Sequence, residues 1–177
     1  DLFSSVWKSA KNRWLWLAVN LGTAFFASRV IGLFEHSIEK LVALAALMPI
    51  VAAIAGNSGN QTVALIVRAL AFEEINKSNA KGLLRKELSI ALVNGVLWGS
   101  VAGTFAWLLY GNIALGFVML GAMLLNLIVG AGVGMLVPLF LQKMGRDPAI
   151  GSSVLLTFST DSMGFLIFLG LATVFLV

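Results

Sequence analysis

Long apolar runs separated by short polar or charged clusters set the pattern of this chain. Five of them, 13–34, 40–72, 88–109, 113–141 and 148–177, are long enough to cross a bilayer. Spanning the hydrocarbon takes about 20 mostly apolar residues wound as a helix, which satisfies every backbone group internally. Barrel strands alternate apolar and polar residues in segments of about 10, and these runs are continuously apolar. The pattern therefore predicts an all-α membrane protein with five transmembrane helices in one domain covering 1–177, without internal repeats.

Composition points the same way. Of 177 residues, 59% are hydrophobic and 11% are charged, where a soluble domain carries about 25% charged residues. A disordered chain, a disulfide scaffold (there is no Cys) and a multidomain soluble enzyme are excluded. So is a nucleic-acid-binding domain, despite a sequence pI near 9.8. The cations report orientation instead. Lys8, Lys11 and Arg13 precede the first span; Arg68, Lys77, Lys81, Arg85 and Lys86 surround the second connection; Lys143 and Arg146 lie in the fourth. The other two connections lack this excess, so the positive-inside rule places the N-terminus in the cytoplasm and the C-terminus outside. A multi-pass protein of the cell (inner or plasma) membrane is expected, with lipid around it and Trp7, Trp14, Trp16, Trp98 and Trp107 mostly near the interfaces. No signal peptide is evident, and Asp1 in place of Met reads as the start of a fragment. Residues 73–87 read as a charged, helical cytoplasmic connection.

Two polar clusters break the apolar rule. The first, Gly56-Asn57-Ser58-Gly59-Asn60-Gln61-Thr62, sits mid-span after Pro49. Fully helical, residues 40–72 would extend about 50 Å, so the segment must tilt, project or bend. Asn57, Gln61, Ala64 and Arg68 share a helical stripe with Asn60 beside it, and such a face cannot point at lipid. Interhelical hydrogen bonding is one reading of these amides. Their density favours a functional one. Asn60-Gln61-Thr62 also matches a glycosylation sequon, which its depth makes irrelevant.

The second cluster is Ser152, Ser153, Thr157, Ser159, Thr160, Asp161 and Ser162. Asp161 is the acidic residue nearest the centre of any span, about 20 Å along the helix from Pro148. Ser153, Thr157, Thr160, Asp161 and Gly164 fall on one face, a polar stripe ending at a carboxylate. An ionised carboxylate at that depth needs water, a partner or a cation, and no basic residue is placed at its level. A protonated Asp hydrogen-bonded to a neighbouring helix is the alternative. Oxygen-only donors, with no Cys and a single loop histidine, His36, point to a hard cation such as Mg²⁺ or Ca²⁺. One Asp per chain, doubled by symmetry, suits Mg²⁺, which keeps much of its water shell. Gly95, Gly99 and Gly103, with Gly130 and Gly134, read as close helix packing.

With those residues in view, the chain resembles the transmembrane domain of the MgtE-type magnesium transporter/channel family. The likeness covers essentially the whole chain: five spans, Pro49 followed by Gly56-Asn57-Ser58-Gly59-Asn60-Gln61, then Arg68-Ala69-Leu70-Ala71, Asp147-Pro148 ahead of the fifth span, and Asp161 within it. The resemblance implies a homodimer whose ion pathway runs between subunits, lined by spans two and five. It implies that Asp161 of each chain holds Mg²⁺ at mid-pore, with the Thr157 carbonyl a further contact. Asn57, Asn60 and Gln61 would line the pathway, and from the polar stripe of span five Thr160 is expected to line it as well, with Ser153 on its cytoplasmic side. Ala55 stands where many relatives carry a second glycine. The N-terminal regulatory and cystathionine-β-synthase-type domains that many members use as Mg²⁺ sensors have no counterpart in these residues.

Gradient-driven transport of Mg²⁺, bound and carried without a separate cofactor, is the expected function, and no phosphate-binding loop is present. A cation-coupled exchanger, with Asp161 also taking H⁺ or Na⁺, is the alternative. A non-transporting scaffold would be indifferent to Asp161. An intramembrane hydrolase lacks a His, Lys or second Asp to pair within the chain, so an enzyme is not expected.

Overall fold

The computed structural model describes residues 2–177; Asp1, and with it the reading of the chain's start, lies outside the described residues. The described residues form six helices and no strand: α1 (Val6–Gly32), α2 (Glu35–Lys40), α3 (Ala43–Ala71), α4 (Ala80–Tyr110), α5 (Ile113–Lys143) and α6 (Pro148–Phe175). All but the short α2 are long and apolar enough to cross a membrane. Local chemistry marks several ends. The Ser5 hydroxyl accepts from the Lys8 amide at 3.3 Å, Asn112 from the Leu115 amide at 3.2 Å, and Asp147 from the Ala149 amide at 2.9 Å. Pro148 at the first position of α6 loses no helical hydrogen bond. Gly111 closes α4 in the left-handed conformation, at φ +65°.

Two boundaries differ from the expected spans. Helix α1 begins at Val6 rather than at 13, and α4 at Ala80 rather than at 88. In both cases the extra turns carry Lys or Arg, whose long side chains reach the headgroup region while the backbone stays helical. Hydropathy alone places the boundary where the charges begin, although the helix continues. The connection expected over 73–87 accordingly shortens to 72–79, and residues 81–87 become the first two turns of α4.

Small residues set how the helices pack. Gly103 of α4 and Gly116 of α5 cross so closely that a Cβ on either would lie 2.5 or 2.8 Å from the other's carbonyl oxygen. Gly95 and Gly99 meet Leu124 and Leu120, so α4 and α5 run antiparallel. On the other side of α5, Gly130 and Gly134 lie against the carbonyls of Ala55 and Gly59, making α3 and α5 parallel neighbours. Helix α6 runs antiparallel to both, with Thr160 opposite Gly56 and Leu156 opposite Gly59. Helix α5 is thus the central post, touching α3, α4 and α6. Apolar side chains including Leu44, Val51, Met119, Met123, Phe168 and Leu169 fill the half of this assembly nearest α2. Helix α1 rests on α6, its Trp16 ring against Gly151 and its Phe26 ring 5.3 Å from that of Phe158. Leu17, Leu21 and Phe25 on its other faces are exposed, as lipid contact requires.

The close approach at Gly103 is limited by backbone, which cannot step aside. Gly103→Ala should lower the heat-denaturation midpoint of the detergent-solubilised protein, at an overpacking cost of about 1–3 kcal/mol. Gly132→Ala, where nothing lies within 4 Å, should leave it unchanged or raise it. Equal midpoints for the two variants would contradict the backbone contact.

Candidate ion pathway

Helix α6 places Ser153, Thr157 and Asp161 on one stripe, about 6 Å apart along the axis. Ser153 is exposed in the single chain, and Thr157 and Asp161 are half-buried. Asp161 forms no hydrogen bond or ion pair with any described residue. No group of three or more His, Cys, Asp or Glu side chains able to hold a metal occurs among the described residues. Within one chain, then, the site is a lone carboxylate on a partly open face.

Thr160, expected on the polar stripe, is instead fully buried. Its hydroxyl donates back to the Leu156 carbonyl at 3.1 Å and lies 3.5 Å from where a Cβ on Gly56 would stand. Gly164 is buried too, so the stripe straddles the seam between α6 and its neighbours, and only its Ser153–Thr157–Asp161 edge looks outward. A helical wheel places these residues together; the position of α3 decides which of them are covered.

The amide motif of α3 divides in the same way. Gly56 and Gly59 face α6 and α5, where any larger side chain would meet Thr160, Leu156 or the Gly130 carbonyl. Asn57, Ser58 and Gln61 turn towards α4 and, with Asn94, line the polar part of a groove of about 580 Å³. The remaining walls of that groove, among them Ile54, Trp98 and Phe105, are apolar. Asn60 is half-buried and lies outside this groove. The three amides expected to act together therefore look in two directions.

Two polar residues went unnoticed in the sequence. Asn126, on the most apolar helix, is fully buried, and its side-chain amide donates to the Val51 carbonyl of α3 at 3.2 Å and the Thr160 carbonyl of α6 at 3.0 Å. Gly164 makes room for it, since a Cβ there would lie 2.6 Å from the Asn126 nitrogen. One amide thus ties three helices together one residue before Asp161. A lone Asn in an otherwise apolar span was the available signal. The second is Glu87, buried on α4, whose Oε2 accepts from the Thr62 hydroxyl at 3.2 Å. It lies four residues before Ala91 and shares the spacing of Gly95, Gly99 and Gly103, a phase that continues the packed face of α4 into the charged segment.

Asn126→Leu should lower the unfolding midpoint by an amount equivalent to about 1 kcal/mol, given interhelical bonds in membranes of about 0.6 kcal/mol each. Thermal or detergent-induced unfolding checks this. An unchanged midpoint would mean that the two bonds do not hold α3 and α6 in place.

Comparison with known proteins follows this geometry. A family model named MgtE, described as a divalent cation transporter, matches residues 48–171. The chain is 34% identical over 168 residues to the magnesium transporter MgtE of Bacillus subtilis, covering 95% of this chain and 37% of that protein. It is 31% identical over 169 residues to the magnesium transporter MgtE of Enterococcus faecalis (96% and 37%). To the protein of that name from Thermus thermophilus it is 30% identical over 167 residues (91% and 36%). The chain thus spans a little over a third of the length of these relatives.

Proposed function

Because the chain belongs to the MgtE family of divalent cation transporters, a family of transporters and not of enzymes, we propose that it conducts Mg²⁺ across the cell membrane through a pore between two copies of itself. The observation that carries this reading is Asp161: a half-buried carboxylate deep in α6, on an outward edge, without a protein partner among the described residues. A lone carboxylate there needs a counter-charge, and a symmetry-related copy facing it would frame a site for a divalent cation.

In this reading the two Asp161 carboxylates hold Mg²⁺ with part of its water shell, and the Thr157 carbonyl orients a shell water or touches the ion. A cation that sheds water reluctantly is best selected through the size and geometry of its hydrated form. Ser153, two turns nearer the basic end, lines the cytoplasmic side. Asn60 shapes the pathway from α3, and Asn57 and Gln61, which open onto the α3–α4 groove, would contribute to it only where that groove meets the partner copy. Thr160 serves by packing, which holds the backbone before Asp161 in place. The abundance of Lys and Arg at one end of the bundle supports an N-terminus in the cytoplasm. An inside-negative potential contributes about 2.3 kcal/mol per charge per 100 mV, hence about 4.6 kcal/mol for a divalent ion, enough to drive inward flux without ATP.

In proteoliposomes Asp161→Asn should cut Mg²⁺ uptake at least tenfold while the purified protein still elutes as the wild type does on gel filtration. Uptake at the wild-type rate would remove Asp161 from the pathway. Uptake should also rise when a potassium diffusion potential makes the lumen negative, and should not respond to an imposed H⁺ or Na⁺ gradient. A steep response to either gradient would favour the exchanger instead.

A further inference from the structure

A second carboxylate in the bundle has no counter-charge, and it is more deeply buried than Asp161. Glu87 is 7% exposed. Its Oε2 receives one hydrogen bond, from the Thr62 hydroxyl at 3.2 Å, and no other hydrogen bond or ion pair to it exists among the described residues. Thr62 is the last residue of the polar motif on α3, so this contact joins that motif to α4. The carboxyl group also lines a cleft of about 620 Å³ between the last turns of α3 and the first turns of α4, with Glu74, Asn79 and Lys86 around it. Lys86 is exposed and forms no ion pair with either carboxylate.

From these features we infer that the α3–α4 cleft is a second divalent-cation site, with Glu87 as its buried ligand, the Thr62 hydroxyl as the group that orients it and Glu74 as the outer carboxylate. The other walls of the cleft, Leu65, Ile66, Ala69, Ile75 and Leu83 among them, are apolar, so its polar groups gather around Glu87. A buried carboxylate facing such a cleft is stabilised either by a cation or by a proton. The cleft has room for the cation in hydrated form, since six waters at about 30 Å³ each occupy roughly 180 Å³. The donors are hard oxygens, one or two of them carboxylates, which is the set Mg²⁺ and its chemical relatives accept with water completing the shell. Gly56 is level with Thr160, and Thr62 lies six residues further along α3, so the site is about 9 Å nearer the basic end than the Asp161 level. It opens at the end the transport reading assigns to the cytoplasm, where an ion leaving the pathway, or accumulating in the cell, would meet it.

The identity of the ion rests on that transport reading, but binding is measurable without flux. Mn²⁺ binding to the purified full chain, counted by equilibrium dialysis and electron paramagnetic resonance, should leave one Mg²⁺-displaceable ion per chain in Asp161→Asn. Adding Glu87→Gln should weaken that ion at least tenfold, and Thr62→Val, which keeps the carboxylate, should weaken it severalfold. If Asp161 binds no ion, wild type and Asp161→Asn will bind alike and Glu87→Gln will still abolish the site. Gel filtration and the unfolding midpoint establish that each variant is folded, and Thr62→Val remains informative should Glu87→Gln fail that test. Undiminished Mn²⁺ binding in the folded variants overturns the inference. So does an infrared band of a protonated carboxyl that persists at saturating Mn²⁺ and vanishes in Glu87→Gln.

Discussion

A single buried amide sets the height at which the helices of this bundle meet. Asn126 spends both hydrogens of its side-chain nitrogen on carbonyls of two other helices, Val51 on α3 and Thr160 on α6. The glycine contacts set how closely these helices approach, and the amide adds a directional tie at one level. Moving a donor in hydrocarbon strands a polar group with no water to replace the partner. The residue after the tethered carbonyl is Asp161, so the position of the carboxylate depends on a group that never touches it.

Glycine makes the tether possible. Gly164 admits the Asn126 side chain, and Gly130 and Gly134 let α5 approach the backbone of α3. The motif on α3 therefore does two jobs with alternating residues. Its glycines let helices approach, and its amides remain on the surfaces left over. Lining a path with amides requires backbones close enough to hold them rigidly, and that closeness requires residues without side chains in between.

Asp161 and Glu87 show how two carboxylates can differ in setting. Asp161 lies half-buried on an outward edge, with no hydrogen bond or ion pair to any described residue. Glu87 is enclosed within its own chain, beside a hydroxyl and a cleft. The polar motif of α3 lies between the two carboxylates, its last residue, Thr62, bonded to Glu87 and its first, Gly56, level with Thr160.

Much of this was legible in the chain itself. Five apolar runs and the four-residue glycine repeats led to five spanning helices with close packing between them, because length and period are local properties; which helices pair through those glycines was not legible. Asp161 stood out because a charge at mid-span is costly wherever its neighbours lie. Three features needed the folded structure. The start of α4 was displaced because charged turns can stay helical beyond the hydrocarbon. Thr160 shares a helical face with Asp161, yet α3 and α5 bury Thr160 while Asp161 stays half-buried. Asn126 and Glu87 acquire their meaning only from Val51, Thr160 and Thr62, which lie 75, 34 and 25 residues away. Sequence determines which groups are costly in a membrane; only the packing of distant helices decides which of them find partners inside the chain and which stay open on its surface.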